Sequence, residues 1–152
     1  IPMYPLEEPM YTDAALKSWA AQAAREIFNL DFLNWREQLS NARTFFTKRA
    51  YLSFAKSLKE EGHLKLLSQY RALMHGVLQG TPIIAAGVLN KRMTWELEVP
   101  FQLAYETSEK VLSHQSFIIS MRIQRVSTAE YVQGIAISQL VVAKEGKVRQ
   151  PL

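Results

Sequence analysis

The sequence predicts an α+β domain in which N-terminal helices pack on a strongly curved antiparallel β-sheet of about four strands. Two observations carry that reading. Apolar residues recur at spacings of three and four through the first half of the chain and at spacings of two through the second. Helices and strands are therefore segregated rather than alternating, which argues against a βαβ fold. The clearest single element is residues 93–105, where Met93, Trp95, Leu97, Val99, Phe101, Leu103 and Tyr105 occupy every odd position. Thr94, Glu96, Glu98, Pro100, Gln102 and Ala104 fill the even ones, as expected of a strand with one buried and one solvated face.

Taken in order, residues 1–11 contain Pro2, Pro5 and Pro9 and read as an extended lead-in. Thr12 or Asp13 caps a first helix whose Leu16, Trp19, Ala20, Ala23 and Ile27 share a face, and which ends near Asn29. A second helical segment is expected over residues 31–44, with Leu39, Ala42, Phe45 and Phe46 as core contacts. Thr47 caps a third helix carrying Tyr51, Phe54, Ala55 and Leu58, and Gly62 closes it in the left-handed conformation. Helical periodicity gives way near Gln69. Residues 70–79 and 82–89 favour strands bounded by turns, and Asn90–Lys91 makes the tight connection into residues 93–105. Glycine is the usual residue where Lys91 stands, so the turn type is open. Pro100 cannot donate to a ladder and marks a bulge or an unpaired edge.

A partner strand over residues 116–126 turns Phe117, Ile119, Met121 and Ile123 inward. The last strand, residues 134–143, begins with Ile135 and Ile137 inward and then shifts phase to Leu140 and Val142. That shift implies a bulge near Ser138–Gln139. The division is then a lead-in over 1–11, one domain over 12–144 and a polar tail over 145–152 containing Gly146 and Pro151.

Composition narrows the function classes. A chain of 152 residues fits one domain, and 48% hydrophobic against 21% charged residues is globular, not disordered. Without cysteine there is no disulfide framework, no zinc–cysteine site and no thiol nucleophile. No apolar run approaches the roughly 20 residues of a membrane span. The chain opens on Ile1 rather than Met, which leaves room for an anchor or signal upstream. The net charge is +4, but Lys48, Arg49, Lys56 and Lys59 are followed directly by Glu60 and Glu61, a solvated helix face rather than a phosphate-binding stripe.

Searching for chemistry returns an empty list of catalytic, cofactor-binding and metal-binding residues. His63, His75 and His114 have no partner at metal-ligating helical spacing and read as surface or turn residues. There is no nucleophile elbow, phosphate loop or dinucleotide fingerprint. A cone of helices on a curved sheet can hold a small substrate around a buried acid or base. The assigned inward faces contain no carboxylate or histidine, and Tyr105 is the one polar-tipped inward residue of the clearest strand. The cone therefore reads as filled. Trp19 and Trp95 read as core anchors. Trp35, beside Arg36, is either an exposed interaction pair or helix-to-sheet packing.

An ordered series of residues then becomes informative. Ile1-Pro2-Met3-Tyr4-Pro5-Leu6 leads into the helix bearing Trp19. Asn34-Trp35-Arg36 and Phe46-Thr47 follow, then Gly87-Val88-Leu89, Arg92, Trp95, Val99-Pro100 and Tyr105, and finally Gly134-Ile135 and Gln139. From Ile1 to about Lys144 this series resembles the soluble domain of the DotI/IcmL/TraM family of type IV secretion and conjugation systems. The resemblance implies a nuclear-transport-factor-like cone, as in other type IV inner-membrane assembly factors. It implies a periplasmic domain on a single N-terminal anchor. It also implies a structural, non-enzymatic role through self-association (a homo-oligomer) and contacts with other components of the inner-membrane complex. No cofactor, catalytic residue or direct nucleic-acid contact comes with it. The alternative reading is a small-molecule binder or isomerase/dehydratase-like protein of the same cone shape, which needs a hollow of about 300 Å³ or more with a convergent polar group.

Overall fold

The computed structural model describes residues 5–144; the expected polar tail, 145–152, lies outside the described residues. The first helix, α1 (Asp13–Ile27), starts where the Thr12 hydroxyl accepts the backbone N–H of Ala15 at 3.1 Å. It buries Leu16, Trp19, Ala20, Ala23, Ala24 and Ile27, and the run of alanines lets its backbone lie close to its neighbours. The expected helix over 31–44 is shorter and later. Leu30–Asp31 forms a two-residue strand, β1, and α2 spans only Trp35–Asn41 before tightening into a 3-10 turn at Ala42–Phe45. The reason is local. The Asp31 carboxylate accepts the backbone N–H groups of Leu33 and Asn34 at 2.9 and 2.8 Å and the Gln38 amide at 2.9 Å, holding residues 31–34 in a turn. Burial pushes the Asp31 pKa up, but these hydrogen bonds outweigh it and hold the carboxyl below its usual value.

Thr47 caps α3 (Lys48–Glu60) as expected, accepting from the Ala50 N–H at 3.3 Å. Gly62, at φ 81°, closes it, and a further helix, α4 (His63–Tyr70), begins at once. That helix was not assigned from sequence, because eight residues with one fully buried side chain, Leu67, show little period.

Among the described residues the sheet has six strands rather than about four, all neighbours antiparallel. β2 (Leu73–Leu78), β3 (Ile83–Leu89), β4 (Arg92–Glu106), β5 (Val111–Arg125) and β6 (Ile135–Lys144) follow the helices. The order is β1-β2-β4-β5-β6, with β3 also on β4. β2 pairs with the second half of β4 (Leu78 opposite Phe101) and β3 with the first half (Ile83 opposite Leu97). Pro100 falls in the gap between them, where a missing donor breaks no ladder, and its carbonyl accepts the Gln79 N–H at 3.0 Å. The phase shift in β6 is a bulge at Ser138: Arg122 faces Gln139 and Ile123 faces Ile137. Asn90 and Lys91 both have positive φ (51° and 65°), so the β3–β4 hairpin turns through a type I′ geometry with lysine in the left-handed region.

The sheet curls strongly into a half-barrel, and the helices cover its concave face. The odd positions of β4 from Trp95 to Tyr105 and Phe117, Ile119, Met121 and Ile123 of β5 are buried there, as expected. Phe54 bridges to Phe46 (ring centroids 5.2 Å) and to Phe28 (5.5 Å), and Phe28 reaches Phe101 at 4.9 Å. These contacts join helices to sheet. Gly76 of β2 is required here, because a Cβ at that position would collide with the Phe101 ring.

Candidate functional site

The cone is not filled to its end. Between α3–α4 and the far halves of β4, β5 and β6 lies an open cavity of about 690 Å³, walled by Phe54, Leu58, Phe101, Leu103, Phe117 and Val142 among others. His63, expected as a surface or turn residue, stands on this wall. Its Nδ1 is hydrogen-bonded to the Tyr105 hydroxyl and its Nε2 lies 3.1 Å from the Glu61 carboxylate. The inward faces assigned from sequence carry no histidine or carboxylate; His63 reaches the cavity wall from α4, which was not assigned and whose first residue it is, with the exposed Glu61 beside it. Burial, with the Glu61 charge adding to it, pushes the Tyr105 phenol up to about 12. The phenol stays neutral across the physiological range. It can share a proton in a hydrogen bond but does not supply a phenolate. With Nε2–H directed at Glu61, Nδ1 accepts from Tyr105, and the three groups hold one another in place. Such an arrangement can orient the polar end of an apolar ligand.

The other histidines are not drawn in. His75 of β2 pairs across the ladder with Glu106 at 3.1 Å, half-exposed, and His114 is exposed on β5. Among the described residues no three His, Asp or Glu side chains are grouped to hold a metal ion. Lys48, Arg49, Lys56 and Lys59 are all exposed on α3, and Lys56 lies 3.8 Å from Glu60, the solvated face expected. Trp19 and Trp95 are buried anchors. Trp35 is half-buried against the core with the Arg36 guanidinium 4.3 Å from its ring centre, so the packing and pairing readings both describe it.

One buried charged side chain escaped the sequence reading. Arg125, at the end of β5, is 1% exposed. Its guanidinium donates to the carbonyls of Gly134 (3.0 Å), Pro5 (2.9 Å) and Glu8 (2.9 Å), pinning the lead-in to the sheet. Arg92 in turn donates to the Arg125 carbonyl at 2.8 Å, and the Leu6 carbonyl accepts the Met93 N–H at 2.8 Å. The signal was present: Arg125 continues the inward parity of Phe117, Ile119, Met121 and Ile123.

A continuous exposed apolar stretch lies along β3. Ile84 (57%), Val88 (55%) and Leu89 (46%) stand in solvent, and Ala85, Ala86 and Gly87 between them are exposed too. The strand contains no charge, and among the described residues it pairs with β4 alone. Long, uncharged edges of this kind are what folded proteins ordinarily blunt.

Comparisons with known proteins agree with the geometry. The profile of the type IVb secretion-system inner-membrane complex component family (DotI/IcmL) matches residues 1–144. Among solved structures, the periplasmic domain of DotI superposes with a TM-score of 0.83 at 31% identity, over 88% of this chain and 96% of that one. A periplasmic fragment of TraM gives 0.78 at 20% identity, over 84% and 93%. An IcmL-like type IV secretion protein from Legionella pneumophila gives 0.79 at 15%, over 93% and 99%. No curated protein matches the chain by sequence. With a family match spanning nearly its whole length and the same curled sheet, the chain belongs to the DotI/IcmL family of type IVb secretion-system inner-membrane complex components.

Proposed function

We propose that this chain is a non-catalytic structural component of a type IV secretion or conjugation inner-membrane complex, acting in the periplasm by protein–protein contact and self-association. Residues 12–144 are the working domain, and the lead-in 1–11 runs back to an anchor in the inner membrane. The observation that carries this reading is the family match over residues 1–144. The uncovered β3 edge supports it, because a surface of that kind invites a partner. Among the described residues no helix is long and apolar enough to cross a membrane. The test is membrane fractionation with protease accessibility on the native protein in its own cell. Sedimentation with the inner membrane, cleavage only after the periplasm is opened, and co-purification of other secretion components are expected. A soluble cytoplasmic protein would overturn the reading.

The cone-mouth cavity favours a second reading, a small-molecule binder. Its volume exceeds the roughly 300 Å³ a ligand site needs, and His63 and Tyr105 converge on its wall. Thermal-shift titration with short aliphatic and aromatic carboxylates, against Leu103→Trp to fill the hollow, checks it. Equal responses from both proteins would remove it.

A further inference from the structure

We propose that the open hollow between α1, the start of α3 and the loop joining β5 to β6 is a docking site for an acidic peptide segment of a partner protein. The segment seats a large apolar side chain in the hollow and sets its carboxylates against Arg43 and Lys48. This names a surface and a partner chemistry for the protein–protein contact above, and rests on that reading for the partner's being a secretion component.

The hollow measures about 710 Å³ and shares no lining residue with the cone mouth. Its floor is apolar and fixed by the core. Phe46 and Ile135 are each 1% exposed, and Trp19 meets Phe45 edge to face with ring centres 5.7 Å apart. Tyr51 and Tyr131 stand half-buried on its walls. Aromatic side chains held in place beside an arginine are what protein interfaces concentrate at their centres.

The placing of the polar groups selects a peptide over a small molecule. Gln22, Arg43, Lys48, Glu130 and Gln133 line the hollow and all are exposed. A small-molecule site instead buries its convergent polar groups with the ligand. Two apolar side chains stand out in the same rim. Leu52 is 58% exposed, and Val132, at 92%, is the most exposed large apolar side chain among the described residues. A ligand confined to the floor leaves both in water, whereas a chain crossing the rim covers them. An apolar centre ringed by polar groups is how protein interfaces are built.

Charge decides the sign of the segment. The lining holds two cations, Arg43 and Lys48, and one carboxylate, Glu130; among the described residues none of the three makes an ion pair. The Arg43 guanidinium carbon lies 5.3 Å from the Tyr51 ring centre, which steadies the side chain and leaves its N–H groups for a carboxylate. A basic segment would meet both cations. A nucleic-acid backbone needs a longer cationic track than these two charges.

The test is a titration of the full chain at low salt with labelled peptides of matched length, read by fluorescence anisotropy. One set is acidic with Trp or Leu, one basic with Trp or Leu, and one acidic without large apolar residues. The first should bind at least about tenfold tighter than the others, with amide NMR shifts confined to residues 43–52 and 130–135. Arg43→Glu with Lys48→Glu should weaken it at least about tenfold and turn the preference to the basic set. Lys59→Glu with Lys65→Glu, the same charge change on exposed side chains outside the hollow, should leave it unchanged. Leu52→Ser with Val132→Ser should weaken it about fivefold or more. All six side chains are exposed, and an anion at Lys48 suits the first turn of α3, so thermal midpoints should show every variant folded. Equal binding of acidic and basic sets, or equal loss in the two charge-reversed pairs, overturns the proposal. So does an Arg43- and Lys48-dependent attachment to phosphatidylglycerol vesicles without peptide binding, which makes the surface a lipid contact. If peptides fail while the chain sediments with the inner membrane and its partners, the assembly role survives and only this face is lost. If the chain is cytoplasmic, the assembly role falls, and the titration still decides whether the hollow takes an acidic segment.

Discussion

The two long outer strands of the sheet, β6 and β3, are finished in opposite ways. β6 is defended. Phe46 bridges to Ile137, the Thr47 N–H donates to the Ile137 carbonyl at 2.9 Å, and Ser138 bulges out of register. Its leading end is locked by Arg125 through Gly134. β3 has a bulge at Ile84, between Ile83 and Ala85, but carries no charge and no covering element among the described residues. The difference teaches where the fold is complete within one chain and where it has a surface left to give to a neighbour.

The comparison breaks most severely at Phe46. Phe46→Ala removes a buried ring that touches both Phe54 and β6, and should cost about 3–5 kcal/mol in urea unfolding while opening the β6 edge. If the loss were under about 1 kcal/mol, the β6 edge would not be held from the helical side. Next in size is Arg125→Met, which removes the guanidinium from the Pro5, Glu8 and Gly134 carbonyls, although the Glu8 and Val126 N–H groups still reach Pro5 and Gly134. A loss of roughly 3 kcal/mol is expected, with faster protease cleavage in residues 5–11. Unchanged cleavage would show that the lead-in is held by other contacts.

The far half of β6 lines the cone mouth, so Tyr105 probes it through pH. Because the folded phenol titrates at about 12 against 10 unfolded, its contribution is whole below pH 10 and is lost as pH rises towards 12. Thermal midpoints over that range should fall more steeply for the parent than for Tyr105→Phe; parallel curves would place Tyr105 in solvent. Thr47→Ala removes only a cap and should cost about 1 kcal/mol, leaving β6 paired. The smallest effect is on the other edge. Val88→Lys should change stability by less than about 0.5 kcal/mol. A substantial loss there would mean that β3 is covered within the chain after all.

Much of this architecture was readable in advance. Strong periods decided the long elements: α1, α3 and the central strands lie where the spacing of apolar residues put them, and the β6 bulge followed from one break in alternation. The helical stretch after residue 31 was overestimated, because Asp31 uses its carboxylate on the backbone, a choice composition does not announce. α4 was missed because it is too short to show a period, and with it went the whole cone mouth. Trp35 and Arg36 were identified as a pair, but only packing decided that the indole would be half-buried and still stacked.

By itself, the sequence determined the segregation of helices from strands, the register parity of the core, the caps at Thr12 and Thr47, and, through an ordered series of residues, the family. These depend on interactions between near neighbours, which a one-dimensional pattern contains. Tertiary structure alone decided that His63 meets Tyr105 across 42 residues, that Arg125 reaches back 120 residues to Pro5, and which sheet edge stays bare. Those outcomes depend on how the sheet curls and which helix ends above which strand, and no local pattern encodes the closing of so long a loop.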